Sequence, residues 1–94
     1  MTGKILSVFP YNGHPYRFGI LEILEGDVIH ETDKINVIRN GEVIHVGYLK
    51  LFHPNTNKPT TEFTPYRNEN NFLHNQLGII CDIKLHSGDE IITV

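Results

Sequence analysis

The sequence has one cysteine, no excess of basic residues and no long apolar run, and each shortage narrows the class of protein. A single thiol, Cys81, rules out a disulfide within the chain. Lys and Arg number 8 against 11 Asp and Glu, a net charge of −3, so any nucleic-acid contact must come from a local basic patch. The first residues lack the apolar region of a secretory signal, and no apolar run could cross a bilayer, which predicts a cytoplasmic protein.

Motifs for catalysis, nucleotide hydrolysis and metal binding are also missing. No G-x-x-x-x-G-K-[ST] phosphate loop occurs, and neither Ser7 nor Ser87 lies in a nucleophile-elbow context. The six histidines show no His-x₃-His pairing, although His30 and His45 both follow "VI" and are candidate neighbours on one sheet face. The acidic residues cluster at predicted turns, where carboxylates cap and solvate. The sequence therefore predicts a protein that is not an enzyme and uses no metal or cofactor.

The stretch "DKINVIRNGEVIHVGYLK" (33–50) is typical of two strands around an Asn40-Gly41 turn. A two-residue hairpin turn of this kind needs φ > 0 at both positions, and Asn-Gly tolerates this best. The register that follows has a core face and an outer face. It pairs Arg39 with Glu42, Val37 with Ile44 and Ile35 with Val46 on the core face, and Ile38 with Val43 and Asn36 with His45 on the outer face.

Alternation with a period of two recurs along the chain and predicts an all-β protein. It is clear in "GKILSVF" (3–9), "ILEIL" (20–24) and "LGIICDIKL" (77–85), and no stretch of ten residues has a helical period. We expect one domain, residues 1–94, folded as a small antiparallel barrel of about six or seven strands. A long polar loop at about 53–76 interrupts it, with "TTEFT" as a candidate short strand. The predicted core positions are Ile5, Val8, Ile20, Ile35, Val37, Ile44, Val46, Leu49, Ile79, Cys81, Ile83 and Ile91.

Two loops share a Pro-Tyr-Arg motif and supply the candidate binding surface. The motif occurs at 15–17, within the loop 10–17, and again at 65–67, within the loop 53–76. A planar Tyr beside an Arg can stack a base and pair a phosphate, and Lys50 or Arg39 would add charge if both loops meet at one barrel rim. The alternative is a loop tyrosine that packs its ring on the barrel and leaves its hydroxyl in water. The candidate residues are Tyr11, His14, Tyr16, Arg17, Lys50, Tyr66 and Arg67.

The segments "EGDVIHETDKINVIRNGEVIHVGYLK" and "GIICDIKLHSGDEIITV" carry a resemblance to a known family. The first resembles a stretch of the form "GVI-two variable residues-DKVRVIRDGEVIYEG", and the second a closing "GYECGIKIE…GDVIEAY". Both belong to the β-barrel found as the second domain of translational GTPases, and in particular to the C-terminal barrel of the bacterial initiation factor that carries initiator tRNA. The resemblance covers most of the chain except residues 53–76, and implies a barrel of the translation-protein type.

The chain departs from that family where the family binds its ligand. The family has a basic run after the hairpin, whereas the corresponding stretch of this chain, "LKLFHPNTNKPTTEF" (49–63), has only Lys50 and Lys58 as basic residues. The family's Glu-Cys-Gly, which helps to form the pocket for the formylmethionyl end of initiator tRNA, is Ile80-Cys81-Asp82 here. Only Cys81 carries over as a family pocket position. The resemblance thus implies a fold and a place near translation, without implying initiator-tRNA binding.

A second, shorter likeness is to the cold-shock domain, in which aromatic residues on adjacent strands stack single-stranded bases. The positions concerned are 18–20 and 27–30. Such a site needs several exposed aromatic rings on one sheet face, and the sequence offers only Phe18 and His30.

Two functional hypotheses follow. In the first, the protein is a translation-factor-type binding module that docks on tRNA, the ribosome or a translation factor through the loops 10–17 and 53–76. In the second, which the acidic balance favours, it is a protein-interaction barrel with no nucleic-acid role and an unidentified protein partner. We expect a monomer or a weak dimer, the dimer forming by strand pairing at an exposed Ile38/Val43 edge.

Overall fold

The computed structural model describes residues 1–13, 15–26 and 28–94, and every helix or strand element among them is a strand. His14 and Asp27 lie outside the described residues. In the described part of the chain, no helix is long and apolar enough to span a membrane. The strands are β1 Thr2–Phe9, β2 Phe18–Glu25, β3 Ile29–His30, β4 Ile35–Arg39, β5 Glu42–Gly47, β6 Leu49–Phe52, β7 Pro59–Thr60, β8 Glu62–Phe63, β9 Tyr66–Arg67, β10 Leu73–His74, β11 Gln76–Cys81 and β12 Glu90–Thr93.

The main sheet has eight strands in the order β5-β4-β12-β1-β2-β11-β6-β7, and its neighbouring strands are antiparallel. Strands β5 and β6 stand far apart in this order, yet only Tyr48 separates them in the chain. One residue spans only about 3.5 Å, so the sheet must curl until the end of β5 lies beside the start of β6. The predicted all-β antiparallel barrel is confirmed as a curled half-barrel, with eight main strands instead of six or seven.

The core fills the concave side of this sheet, because alternate residues of each strand point inward. Leu21 of β2, Ile79 of β11 and Leu51 of β6 are at most 1% exposed. Of the predicted core positions, Ile20 and Val46 are wrong, since Ile20 pairs with Gly78 on the outer side and Val46 is 47% exposed. The predicted positions that are buried are Ile5, Ile35, Val37, Leu49, Ile79, Cys81 and Ile91, while Val8, Ile44 and Ile83 are partly buried against them.

The β4–β5 hairpin has the predicted turn but a different register beyond its tip. Asn40 and Gly41 have φ values of 52° and 79°, as an Asn-Gly turn of this type requires. Arg39–Glu42 and Ile38–Val43 pair as predicted, and an irregularity then shifts the register so that Val37 lies opposite His45, Asn36 opposite Val46 and Ile35 opposite Gly47. One extra residue in a strand exchanges the faces of the residues that follow it. The prediction that His45 lies outside beside Asn36 is therefore wrong.

The segment 53–76 contains four short strands, β7 to β10, where the sequence predicted a long polar loop. The candidate strand "TTEFT" overlaps two of them, and Phe63 of β8 is 4% exposed and belongs to the core. Strand β8 pairs with β3, which sets His30 against Glu62 with Nε2–Oε2 at 3.1 Å. His30 and His45 thus lie on different sheets and are not the neighbours that the sequence suggested. Within the described residues no group of three His, Cys, Asp or Glu side chains could hold a metal ion.

Arg39 is paired with Asp89 instead of carrying free charge at the hairpin tip. Its Nε lies 2.8 Å from Asp89 Oδ1 and its Nη2 lies 2.9 Å from Oδ2, while Nη2 also donates to Lys84 O at 3.1 Å. The Asp89 carboxylate is only 2% exposed and also accepts the backbone N–H of His86 at 2.8 Å. The expectation that this acid is solvated at a turn is wrong, and Arg39 does not add charge to the loop surface.

Candidate binding surface on the outer sheet face

The outer face of the strands β2, β11 and β6 carries several apolar side chains. The alternation that sends Leu21, Ile79 and Leu51 into the core sends their neighbours outward. By register, two rows cross these three strands on the outer face. The first row is Phe18, Ile80 and Lys50, and the second is Ile20, Gly78 and Phe52.

Three aromatic rings cluster on this outer face. The ring of Tyr11 stacks on Phe18 with centroids 6.0 Å apart, and Phe18 lies 5.4 Å from Phe52. Tyr11 and Phe52 are 6.2 Å apart. Phe52 and Ile80 are only 7% and 4% exposed although they point away from the barrel core. The loop that carries Tyr11 thus covers a second apolar cluster, and the ring of Tyr11, which is 39% exposed, is its outer surface.

Gly78 makes room for this cluster. A Cβ added at Gly78 would collide with Cζ of Phe18 and meet Cε1 and Cε2 at 2.8 Å, so the Cζ end of the ring occupies the space of a side chain at Gly78. A glycine inside a strand often marks such a close approach. The missing side chain leaves room over β11 for the Phe18 ring, on which Tyr11 stacks.

A concavity of about 360 Å³ opens beside the cluster, between the two loops that the sequence singled out. Tyr11 comes from the first loop, Pro59 and Thr60 come from the second, and Lys50 of β6 lies between them. The walls therefore offer a planar ring, a cation and a hydroxyl group. The remaining lining residues are Glu31, Leu51, Phe52 and Ile80, of which Glu31 adds a carboxylate.

None of the described residues of the two Pro-Tyr-Arg motifs lines this concavity, and both arginines donate to backbone carbonyl groups. Arg17 donates from Nη1 to Leu85 O at 3.3 Å, which attaches the first loop to the β11–β12 connection. Tyr16 is half-buried, and the prediction for His14 falls outside the described residues. In the second motif, Arg67 donates from Nη1 to Asn71 O at 3.0 Å and stabilises its own hairpin.

Tyr66 belongs to a separate group of rings on the β9–β10 hairpin. Its ring stacks on His74 with centroids 4.8 Å apart and an interplanar angle of 11°, and its hydroxyl accepts a hydrogen bond from Asn55 Nδ2 at 3.2 Å. Phe72 meets the same His74 ring at 5.2 Å. The loops thus meet at one surface through Tyr11, Pro59 and Thr60, with Tyr66 in a neighbouring ring group.

Cys81, the family pocket position, faces the barrel interior and is 1% exposed. Burial raises the pKa of its thiol to about 11, against a smaller opposing effect of backbone hydrogen bonds. We therefore expect native Cys81 to react with a disulfide reagent at pH 8 at least about 100-fold more slowly than the unfolded chain, because the thiolate is scarce and covered. Absorbance during labelling with and without urea checks this, and equal rates would contradict the burial.

The sequence missed Phe52, Ile80 and Gly78 as parts of the surface. Phe52 and Ile80 looked like ordinary apolar strand residues, and only the pairing of β6 and β2 with β11 puts them beside Phe18. The cold-shock likeness counted only Phe18 and His30 as exposed rings, but the ring of Tyr11, 39% exposed, also lies on this face, whereas Phe52 is 7% exposed. Alternation was a usable signal within β11, but in β2 it was one residue out of step, since Leu21 and not Ile20 enters the core. The register between distant strands gave no signal in the sequence.

No protein-family model matches the sequence, and no curated protein is significantly similar to it. The likeness to translation-factor barrels therefore rests on the hairpin and closing-strand residues alone.

Proposed function

We propose that the protein is a non-catalytic binding module that holds the end of a single-stranded RNA in the concavity beside Tyr11. One observation carries this proposal: the partly exposed ring of Tyr11 and the side chain of Lys50 line one concavity of about 360 Å³. A base stacks on the ring, a phosphate pairs with the ammonium group, and the Glu31 carboxylate and Thr60 hydroxyl accept hydrogen bonds from ribose hydroxyls or base amino groups.

The charge of the chain suits the binding of a single nucleotide better than binding along the phosphates of a nucleic-acid duplex. A net charge of −3 and a single lysine in the concavity leave few partners for successive phosphates. Stacking on an aromatic ring contributes about 1–3 kcal/mol per base without requiring positive charge. Binding by one stacked base and one phosphate is therefore modest in affinity and only weakly dependent on salt.

The resemblance to translation-factor barrels supports an RNA of the translation apparatus as the partner. On this proposal the RNA is tRNA or a ribosomal strand, or RNA presented together with a translation factor. The family's pocket is not the site that we propose, because Cys81 lies inside the barrel and Tyr11 and Lys50 lie on its outer face.

Tyr11→Ala is expected to weaken binding of a single-stranded RNA hexanucleotide by about 5- to 150-fold, the equivalent of one lost stack. Lys50→Gln is expected to lower the slope of log affinity against log salt by about 0.7, because one phosphate contact is lost. Amide NMR titrations at low and moderate salt measure both effects and show which residues shift.

Lys84→Gln is the matched control, since Lys84 is exposed on the β11–β12 connection, away from the concavity lining. It should leave both the affinity and the salt slope near those of the original chain. If Lys84→Gln and Lys50→Gln act alike, or if no amide shifts at either salt, the RNA proposal is wrong.

The second candidate is a protein-interaction barrel, which the edge strand β5 favours. This strand lies at one end of the sheet order, with Val43 54% and Val46 47% exposed, so an extended segment of a partner protein could add to it. Ile38 is not part of this edge, because β4 is paired on both sides, with β5 and with β12. If RNA shifts no amide resonance in the titration, the protein-interaction barrel replaces the RNA-binding module as the proposed function.

A further inference from the structure

The concavity beside Tyr11 is the first of three that form an interrupted groove on the outer face. They follow one another along strand β11 and the hairpin before it, with Ile80 lining the first, Gly78 the second and His74 the third. The second and third are joined, because Pro54 and Gln76 line both. The first and second share no lining residue, and the aromatic cluster lies between them, since Phe18 of the second packs against Tyr11 of the first.

The far end of this groove holds partly exposed aromatic rings that contact one another. Phe72 is 64% exposed and contacts the His74 ring, which in turn lies flat against Tyr66. Asn68 holds the hairpin turn, because its Oδ1 accepts the backbone N–H of Phe72 at 3.0 Å and its Nδ2 lies 3.2 Å from His74 Nε2. These contacts restrict the rings, and a side chain that is already restricted loses less entropy on binding.

Packing does not account for an aromatic residue at position 72. Phe72 is not part of the buried core cluster, and Tyr66 and His74 already form a ring stack with each other. Exposed aromatic faces at the end of a groove are the surface that a base or another flat group covers. The Tyr11 end has the same character, a ring that lies partly open above a packed aromatic cluster.

We propose that the Phe72–His74 rings form a second stacking subsite and that the ligand is a single RNA strand of about four to six nucleotides crossing the outer face. This inference rests on the function proposed above. Ile80 and His74 are six residues apart, at most about 20 Å at 3.4 Å per extended residue. That span suits a strand at the short end of the range for small single-strand-binding barrels, about 4–16 nucleotides. One base stacks at Tyr11, another stacks at Phe72, and the strand between them passes over Phe18 and Gly78.

A length series tests the second subsite separately from the first. The ligands are adenosine monophosphate and adenylate RNAs of two, four and six nucleotides, measured by calorimetry and amide shifts. Affinity should rise about 5- to 150-fold between the monophosphate and the hexanucleotide, the equivalent of one added stack. Phe72→Ala should remove that rise and leave monophosphate binding unchanged, whereas Tyr11→Ala should weaken both ligands.

Two variants control the series. Phe72→Tyr keeps a ring and should keep the length dependence, and Val43→Ala truncates a similarly exposed side chain on β5, outside the groove lining. The amide spectrum of Phe72→Ala verifies that the barrel is intact, which its 64% exposure leads us to expect.

Each outcome decides between the two proposals. Monophosphate binding without any gain in length would overturn the second subsite and leave the proposed function standing. No binding of any RNA would overturn both. If a basic, proline-containing peptide shifts the groove amides and the hexanucleotide does not, the groove belongs to a protein ligand and the RNA strand is excluded.

Discussion

Arg39→Met is expected to lower the free energy of unfolding by about 3–5 kcal/mol at neutral pH, because it leaves a buried carboxylate without its cation. The carboxylate is that of Asp89, only 2% exposed, with both oxygens bonded to the guanidinium at 2.8 and 2.9 Å. After the substitution, the backbone N–H of His86 is the only donor that remains to it among the described residues. Urea unfolding followed by circular dichroism measures the loss.

Asp89→Ala is expected to cost less than Arg39→Met, although both remove the same ion pair. The Arg39 side chain is 27% exposed and can turn its charge to water, whereas Asp89 cannot. The double variant should therefore be more stable than Arg39→Met alone. Arg67→Met is the matched control, since Arg67 is exposed and bonds within its own hairpin, and it should cost less than about 1 kcal/mol. If Asp89→Ala lowers the free energy of unfolding more than Arg39→Met does, the buried Asp89 carboxylate does not depend on Arg39 in the way described.

The contribution of Asp89 to the pH dependence of stability should change sign in Arg39→Met. Burial alone would raise the pKa of Asp89, but the hydrogen bonds from Arg39 and the His86 N–H outweigh it, so the folded pKa lies below its ordinary value. A carboxylate of lowered pKa stabilises the fold above its unfolded pKa of about 3.9, and that contribution is lost as the pH falls through the folded pKa. In Arg39→Met only the His86 N–H among the described donors still opposes the effect of burial, so the Asp89 contribution to stability should instead increase as the pH falls toward 4. Unfolding at pH 7, 5 and 4 shows the difference.

Gly78→Ala is expected to lower the free energy of unfolding by about 1–3 kcal/mol, because the new methyl group occupies space now filled by the Phe18 ring. The added Cβ would meet three ring atoms within 2.8 Å. Phe18 cannot simply swing aside, since Tyr11 and Phe52 pack on it at 6.0 and 5.4 Å. Displacing the ring should disturb the aromatic cluster while the barrel core, on the opposite face, stays intact.

A double-mutant cycle separates this steric cause from a general effect on strand β11. Phe18→Ala removes the obstacle, so Gly78→Ala should cost much less in that background, with a coupling energy of about 1–2 kcal/mol. The same cycle bears on function, because Gly78→Ala moves the floor of the groove and should weaken RNA binding without touching Lys50. Additive costs in the cycle would show that Phe18 does not lie across Gly78.

Much of the fold was predictable because its signals are local. The Asn40-Gly41 turn and the alternation of residues 77–85 depend only on neighbours in the chain. The turn predicted the observed hairpin, and the alternation predicted β11, although this strand ends at Cys81 and not at Leu85. The hairpin register failed three residues from the turn, where a one-residue irregularity reversed the faces of His45 and Val46. Patterns of alternation report that a strand exists, but they do not report where the chain inserts one residue.

The candidate site was predictable only in part. The sequence singled out two loops, and the structure brings Tyr11 of the first loop and Lys50 to one concavity. It assigned Arg17 and Arg67 to ligand binding, whereas the structure gives both a backbone carbonyl as partner, Leu85 and Asn71 respectively. The sequence alone does not show whether a polar side chain in a loop will hydrogen-bond to a backbone carbonyl of the same protein.

By itself, the sequence determined an all-β chain, the Asn40-Gly41 turn and half of the described residues of the buried core, because period-two alternation sorts side chains between two faces within each strand. The tertiary structure decided which strands adjoin. That choice set Asp89 against Arg39, fifty positions away in the chain. It also put the Phe18 ring over Gly78, placed Phe52 beside Gly78 and brought Tyr11 to Lys50. These contacts join residues far apart in the chain, so they follow from strand register across the curled sheet, which no local pattern encodes.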